Sequence, residues 1–220
     1  MSVGRHGLLH GFETTAMLVR LVIVSVLVLP MAIFFAKPIT TALLPLYGAV
    51  LERVAVDYRI LYIGLATEGA DSVIRLDVTL AHTIAVRGHL VFPDPQGAAN
   101  ATTLVGNILQ PLTVGLIAIL TWPARSWRIN LLRLPVLVLL CLIETMLDIP
   151  LMLAGELWGL FLDNLAPGSW SPLTVWVDFL ENGGRLALGL TTALASIAAA
   201  NYVARKSKMA VPPILSLRRG

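Results

Sequence analysis

The chain has 220 residues, of which 57% are hydrophobic and 13% charged, and its mean hydropathy is +0.82. That balance excludes an ordinary soluble domain and predicts an integral membrane protein. The pI near 9.4 comes without any basic stripe interleaved with aromatics, which argues against a nucleic-acid partner and for contact with anionic membrane lipid.

A hydrocarbon core about 30 Å thick takes roughly 20 apolar residues per helix. Four segments meet that length: residues 17–36, 104–122, 131–155 and 175–204. The expected fold class is therefore an all-α membrane protein, a four-transmembrane-helix bundle with a small extracytoplasmic antiparallel β-meander between helices 1 and 2. Residues 1–16 read as a short polar N-terminus. His6 and His10 are four apart, but Gly4, Gly7 and Gly11 oppose a helix and no third ligand is near, so a frayed end is expected and no metal. No small-x-small cleavage pattern follows Phe34 and Phe35, so the first span stays as an anchor.

Residues 37–103 form the one sizeable segment between spans. Leu43, Leu44, Leu46, Tyr47, Val50, Leu51 and Val54 fall largely on one side at helical spacing, so Ile39–Val56 either lies along the outer interface or extends the first span. Alternation and β-branched residues then mark Tyr58–Thr67, Ser72–Ala81 and Thr83–Phe92 as strands, with a hairpin turn between Thr67 and Asp71. Three such strands bury too little to stand alone and must lean on a helix, the membrane or a partner.

The remaining polar residues sit where lipid would forbid them. Asn107 and Gln110 are three apart on the second span and share a face, as amides that bridge helices or line a path. Glu144 and Asp148 are four apart on the third span; Asp178, Glu181 and Arg185 follow helical spacing on the fourth. Intramembrane charges normally face protein or water and pair with one another. Reckoned at 1.5 Å per residue, Glu144 and Arg185 reach similar depths, which predicts a Glu144–Arg185 pair with Asp148 and Glu181 nearer the outer surface. A run of small residues including Ala187, Gly189, Ala193, Ala195 and Ser196 predicts close helix packing, internal or to another subunit.

Between the last two spans, residues 156–174 and the start of the fourth span carry Trp158, Phe161, Trp170 and Trp176. These aromatics read as an interfacial belt or as a ledge on which a partner helix docks. At the basic loop 123–130, Trp122 and Trp127 flank Arg125 as an interfacial anchor. Arg5, Arg20, Arg125, Arg128 and Arg133, together with the basic tail 205–220, place both termini in the cytoplasm.

No catalytic residue or cofactor is expected. Cys141 is the sole cysteine and has apolar neighbours, which raise a thiol's pKa and lower its reactivity. His82 and His89 lie on the meander, distant from it, and no Gly-rich phosphate loop or zinc-ligand cluster occurs.

The first anchor, the short outer β-rich segment, the stretch from Asn107 through Thr121, Trp122 and Pro123, the basic loop Arg125–Arg133 and the acidic third span together resemble the exosortase H-associated small membrane proteins. That resemblance implies a noncatalytic accessory in a bacterial inner (cytoplasmic) membrane protein-sorting system, a multi-pass helper in hetero-oligomer with a polytopic membrane-protein partner. The transpeptidase residues belong to that partner, so none is carried over. The alternative is a small transporter or channel component lined by the acidic and Arg185 seam, although no inverted repeat relates the two halves.

Overall fold

The computed structural model describes residues 4–94, 97–123 and 127–209. Arg125, Arg218 and Arg219, and the side chains of His6, His10, Arg128, Arg205 and Lys208, lie outside what is described. The fold is mostly helical. A helix α1 (Gly4–Val54) is followed by strands β1 (Tyr58–Glu68), β2 (Asp71–Leu80), β3 (Ile84–Val86), β4 (His89–Val91) and β5 (Ala99–Leu104). Helices α2 (Val105–Thr121), α3 (Trp127–Leu165), α4 (Pro172–Phe179) and α5 (Arg185–Met209) follow. Counting α4 and α5 as one interrupted span, three of the four helices are long and apolar enough to cross a membrane, and α2 is a shorter apolar helix.

Helix α1 has 51 residues, about 75 Å at 1.5 Å per residue, and so far exceeds a hydrocarbon core. It corrects the frayed N-terminus, since the helix begins at Gly4, and it decides that Ile39–Val54 extends the first span. Pro30, Pro38 and Pro45 lie inside it, and each removes an N–H from the ladder without ending the helix. The far turns of α1 build part of the core, because Tyr47 and Leu51 are fully buried against the sheet and α3.

β1 and β2 form the expected hairpin, with Glu68 opposite Asp71 across Gly69 and Ala70. Gly69 has φ +62°, the left-handed backbone that a two-residue hairpin turn needs and glycine adopts without cost. Leu61 is the extra residue of a bulge in β1.

The third strand of the meander is a correction. Thr83–Phe92 folds on itself as the small β3–β4 hairpin, turning at Arg87 (φ 50°) and Gly88 (φ 95°). The vacant edge of β2 is taken by β5, giving the order β1-β2-β5. One face of this sheet, with Ile74, Leu76, Val78 and Ala101, packs on Tyr47 and Leu51 of α1 and on Ile149, Leu153 and Leu157 of α3. The sheet thus leans on the projecting halves of two long helices.

At the opposite end, where the α2–α3 loop lies, α2, α3 and α5 pack through Ile119, Leu137, Cys141, Ala193 and Ile197. The run of small residues is internal on one side, with Gly189, Ala193, Ser196 and Ala200 buried and Ala187 and Ala195 exposed. A Cβ on Gly189 would lie 2.8 Å from the Pro111 carbonyl oxygen and 2.9 Å from its Cα, so α2 and α5 meet backbone to backbone. Gly189→Ala should therefore destabilise by about 1–3 kcal/mol through overpacking. Gly106→Ala, where a Cβ meets nothing within 4 Å, should be neutral or stabilising by up to about 1 kcal/mol. Reversible unfolding in detergent measures both, and equal effects would refute the close approach.

Tyr58 supplies a pH test. Burial pushes its phenol up to about 12, with Asp57 beside it adding to the rise. An unfolded phenol ionises near pH 10, so the fold holds the proton more tightly. The stability from this group is intact below pH 10 and is lost as pH rises from 10 through about 12. The Tm should fall across that window, and fall less in Tyr58→Phe; identical losses would exclude Tyr58 as the source.

Candidate functional site: a buried ion pair beneath an acidic cleft

The fourth apolar segment is not one straight helix. Between α4 and α5 runs a wide turn, Leu180–Gly184, in which Asn182 has φ −86° and ψ 29°, and Gly183 has φ 97° and ψ 3°. The left-handed backbone at position 183 suits glycine, and the Asn182 amide donates to the Asp178 carbonyl at 2.7 Å. Arg185 thereby becomes the first residue of α5.

Arg185 pairs with Asp148, not with Glu144. Its Nε donates to Asp148 Oδ2 at 3.1 Å and its Nη2 to Oδ1 at 3.4 Å, a two-pronged contact between α5 and α3. Arg185 is 3% exposed and Asp148 1%, so the pair is shut away from solvent. This corrects the expected Glu144–Arg185 pair and the expected placement of Asp148 near a wet surface. The physical reason is the break at Asn182 and Gly183. A uniform rise per residue misplaces Arg185, and the true partner stands one turn further along the same face of α3.

Around the pair the polar contacts continue toward the sheet. Arg185 Nη2 also meets Met152 Sδ, to which the Thr103 hydroxyl of β5 donates at 3.3 Å. Asn107 Nδ2 donates to Thr103 Oγ1 at 3.4 Å, so Asn107 joins the same chain of contacts, with half-buried Gln110 on the following turn. One turn the other way, Glu144 Oε2 accepts from the Thr192 hydroxyl at 2.9 Å, and its Oε1 is buried with no hydrogen-bond partner.

On the sheet side of the pair lies a cleft of about 540 Å³ between α3, α4 and the residues that join them, lined among others by Glu156, Asp163, Asp178 and Glu181. Asp178 of α4 and Glu181 of the wide turn are exposed and line the cleft, apart from the buried pair. Glu156 Oε2 accepts the Thr102 N–H at 3.1 Å, closing the outer edge of β5. Gly155 lets α4 settle on α3, since a Cβ there would lie 2.6 Å from Val177 Cγ2.

Sequence reading missed Glu156, Met152 and Thr103. The first two were legible: Glu144, Asp148, Met152 and Glu156 recur every four residues and so share one face of α3. Thr103 was not, because it belongs to the strand hidden in the approach to the second span.

The four aromatics do not make one exposed ledge. Trp158 and Phe161 are half-buried against Ile84, Val86 and Leu162, where they seat the β3–β4 hairpin. Trp176 stacks at 5.4 Å on Phe179. Trp170 stays exposed, and its carbonyl accepts from Arg87 Nη2 at 3.1 Å. Among the described residues no group of three His, Cys, Asp or Glu is placed to hold a metal ion.

Three long apolar helices and a seam of buried charge point to a multi-pass membrane protein as the class. No family model matches the sequence, and no curated protein or solved structure matches it.

Removing one member of a buried pair strands the other charge. Arg185→Leu should cost about 3–5 kcal/mol in detergent unfolding, whereas Arg185→Leu with Asp148→Leu should recover most of that loss. Additive losses in the double variant would refute the pairing.

Proposed function

We propose that this chain is a noncatalytic accessory subunit of a bacterial inner-membrane protein-sorting system of the exosortase type, and that it holds a partner at its sheet end. The observation that carries the reading is the Arg185–Asp148 pair, dry and bound on both prongs. A conducting or transporting path needs water along its charges, while a scaffold needs them paired and fixed. Through Met152 and Thr103 the same pair ties the helices to the sheet, as suits a part that presents a rigid surface. The layout resemblance to the exosortase H-associated proteins supplies the choice of system.

In this reading four spans cross the bilayer and both termini are cytoplasmic, following the arginines of the α2–α3 loop end. Helix α2, with 17 residues, spans about 25 Å and crosses with local thinning of the bilayer. The β-sheet then lies outside the cytoplasm, and Trp170 stands exposed on the same side.

A second reading, a small transporter or channel component, is favoured by one observation: Glu144, on an apolar stretch of α3, has an oxygen without a hydrogen-bond partner.

A pull-down in mild detergent separates the two. The tagged wild-type chain should bring down a polytopic membrane protein in stoichiometric amount. Trp170→Ala, at an exposed position, should weaken that recovery several-fold without changing the Tm. Recovery of the chain alone as a stable homo-oligomer, with ion flux in vesicles that Glu144→Gln abolishes, would overturn the accessory reading in favour of the second.

A further inference from the structure

The outer edge of the sheet is fastened to α3 through one threonine that bridges two acids. The Thr102 N–H donates to Glu156 Oε2 at 3.1 Å, and the Thr102 hydroxyl donates to Glu68 Oε2 at 3.3 Å. Glu68 of β1 thus reaches the same residue of β5 that Glu156 of α3 holds. Around Glu156 the cleft adds Asp163 of α3, Asp178 of α4 and Glu181 of the wide turn.

The cations on the neighbouring elements are already engaged. Arg185 of α5 is bound on both prongs by Asp148. Arg75 of β2, which stands opposite Thr102, is held by Asp77 at 2.8 Å. Half-buried among like charges, a carboxyl is driven toward its neutral form. Burial pushes Glu156 up to about 7, and Glu181 and then Glu68 add to the rise, against the Thr102 N–H and Arg185. Glu156 stands about 43 Å along α3 from Trp127 at 1.5 Å per residue, beyond a hydrocarbon core about 30 Å thick.

We propose that Glu156 is a proton-operated latch on the sheet: with its proton the carboxyl holds β5 to α3, and without it the edge of β5 comes free. One oxygen suffices for the Thr102 N–H, so the other carries a proton without breaking that bond. Loss of the proton leaves an anion beside Glu68 and Glu181, and it regains water by leaving Thr102. The ordinary value of this carboxyl is 4.5, so the latched state binds the proton more tightly than the open one. The latch is intact below pH 4.5 and is lost as pH rises from there through about 7. In the topology proposed above, that pH is the extracytoplasmic one.

Hydrogen exchange of the full chain in mild detergent, read by mass spectrometry on peptides covering β5, tests the latch. After correction for the intrinsic effect of pH, exchange at Thr102 should quicken about tenfold or more between about pH 5 and about pH 8. Peptides of α2 serve as the reference, so that general loosening is not read as release of the edge. Glu156→Gln keeps an acceptor oxygen and cannot ionise, so its exchange should stay slow throughout. Glu181→Gln removes a neighbouring negative charge and should move the midpoint of the change to higher pH on neither count but to lower pH, because Glu156 then ionises more readily. Wild-type exchange at Thr102 that stays constant over this range would overturn the proposal. So would a Glu156→Gln chain that loosens as the wild type does, or a Glu181→Gln chain whose midpoint does not move.

Discussion

Two opposite charges taken out of solvent between α3 and α5 constrain most of this molecule. Each of Arg185 and Asp148 costs several kcal/mol to desolvate, and only close, two-pronged contact offsets that cost. The helices must therefore meet in one register and at one height. Arg185 also opens α5, where the helix dipole disfavours a cation; Asp148 brings the negative charge that such an end prefers, so one carboxylate answers two electrostatic demands. Because Met152 and Thr103 extend the contact to β5, the placement of the sheet depends on the same register.

Backbone features make that register attainable. Gly189 brings α5 against Pro111 of α2 without an intervening side chain, and Gly115 leaves room for Leu137. The turn at Asn182 and Gly183 lets α4 lie along the upper part of α3 while α5 follows its own axis. Gly155 completes the fit by admitting Val177. Small residues in membrane helices trade apolar area for close approach, and packing plus buried hydrogen bonds then replaces a hydrophobic drive that lipid cannot supply.

The two ends of the bundle differ in chemistry as a result. At the sheet end, Glu156 closes a strand edge and shares a cleft with Asp163, Asp178 and Glu181. Toward the α2–α3 loop the sequence carries Arg125, Arg128 and Arg133, and residues 95–143 hold no acidic residue.

The apolar segments, the β1–β2 hairpin and the sharing of faces by Glu144 and Asp148 were all legible in the sequence, because each depends on residues within a few positions of one another. The small area that three strands bury also carried the prediction that the segment after the first span leans on something else. What the sequence did not determine were choices between distant segments: β5 over Thr83–Phe92 as the third strand, Asp148 over Glu144 as the partner of Arg185, and the inward use of Trp158 and Phe161. Hydrophobic period states which side of an element is apolar, but not what it will face. A single glycine in left-handed backbone moves everything after it, and only the packed structure, where desolvated charges must find each other, decides by how much.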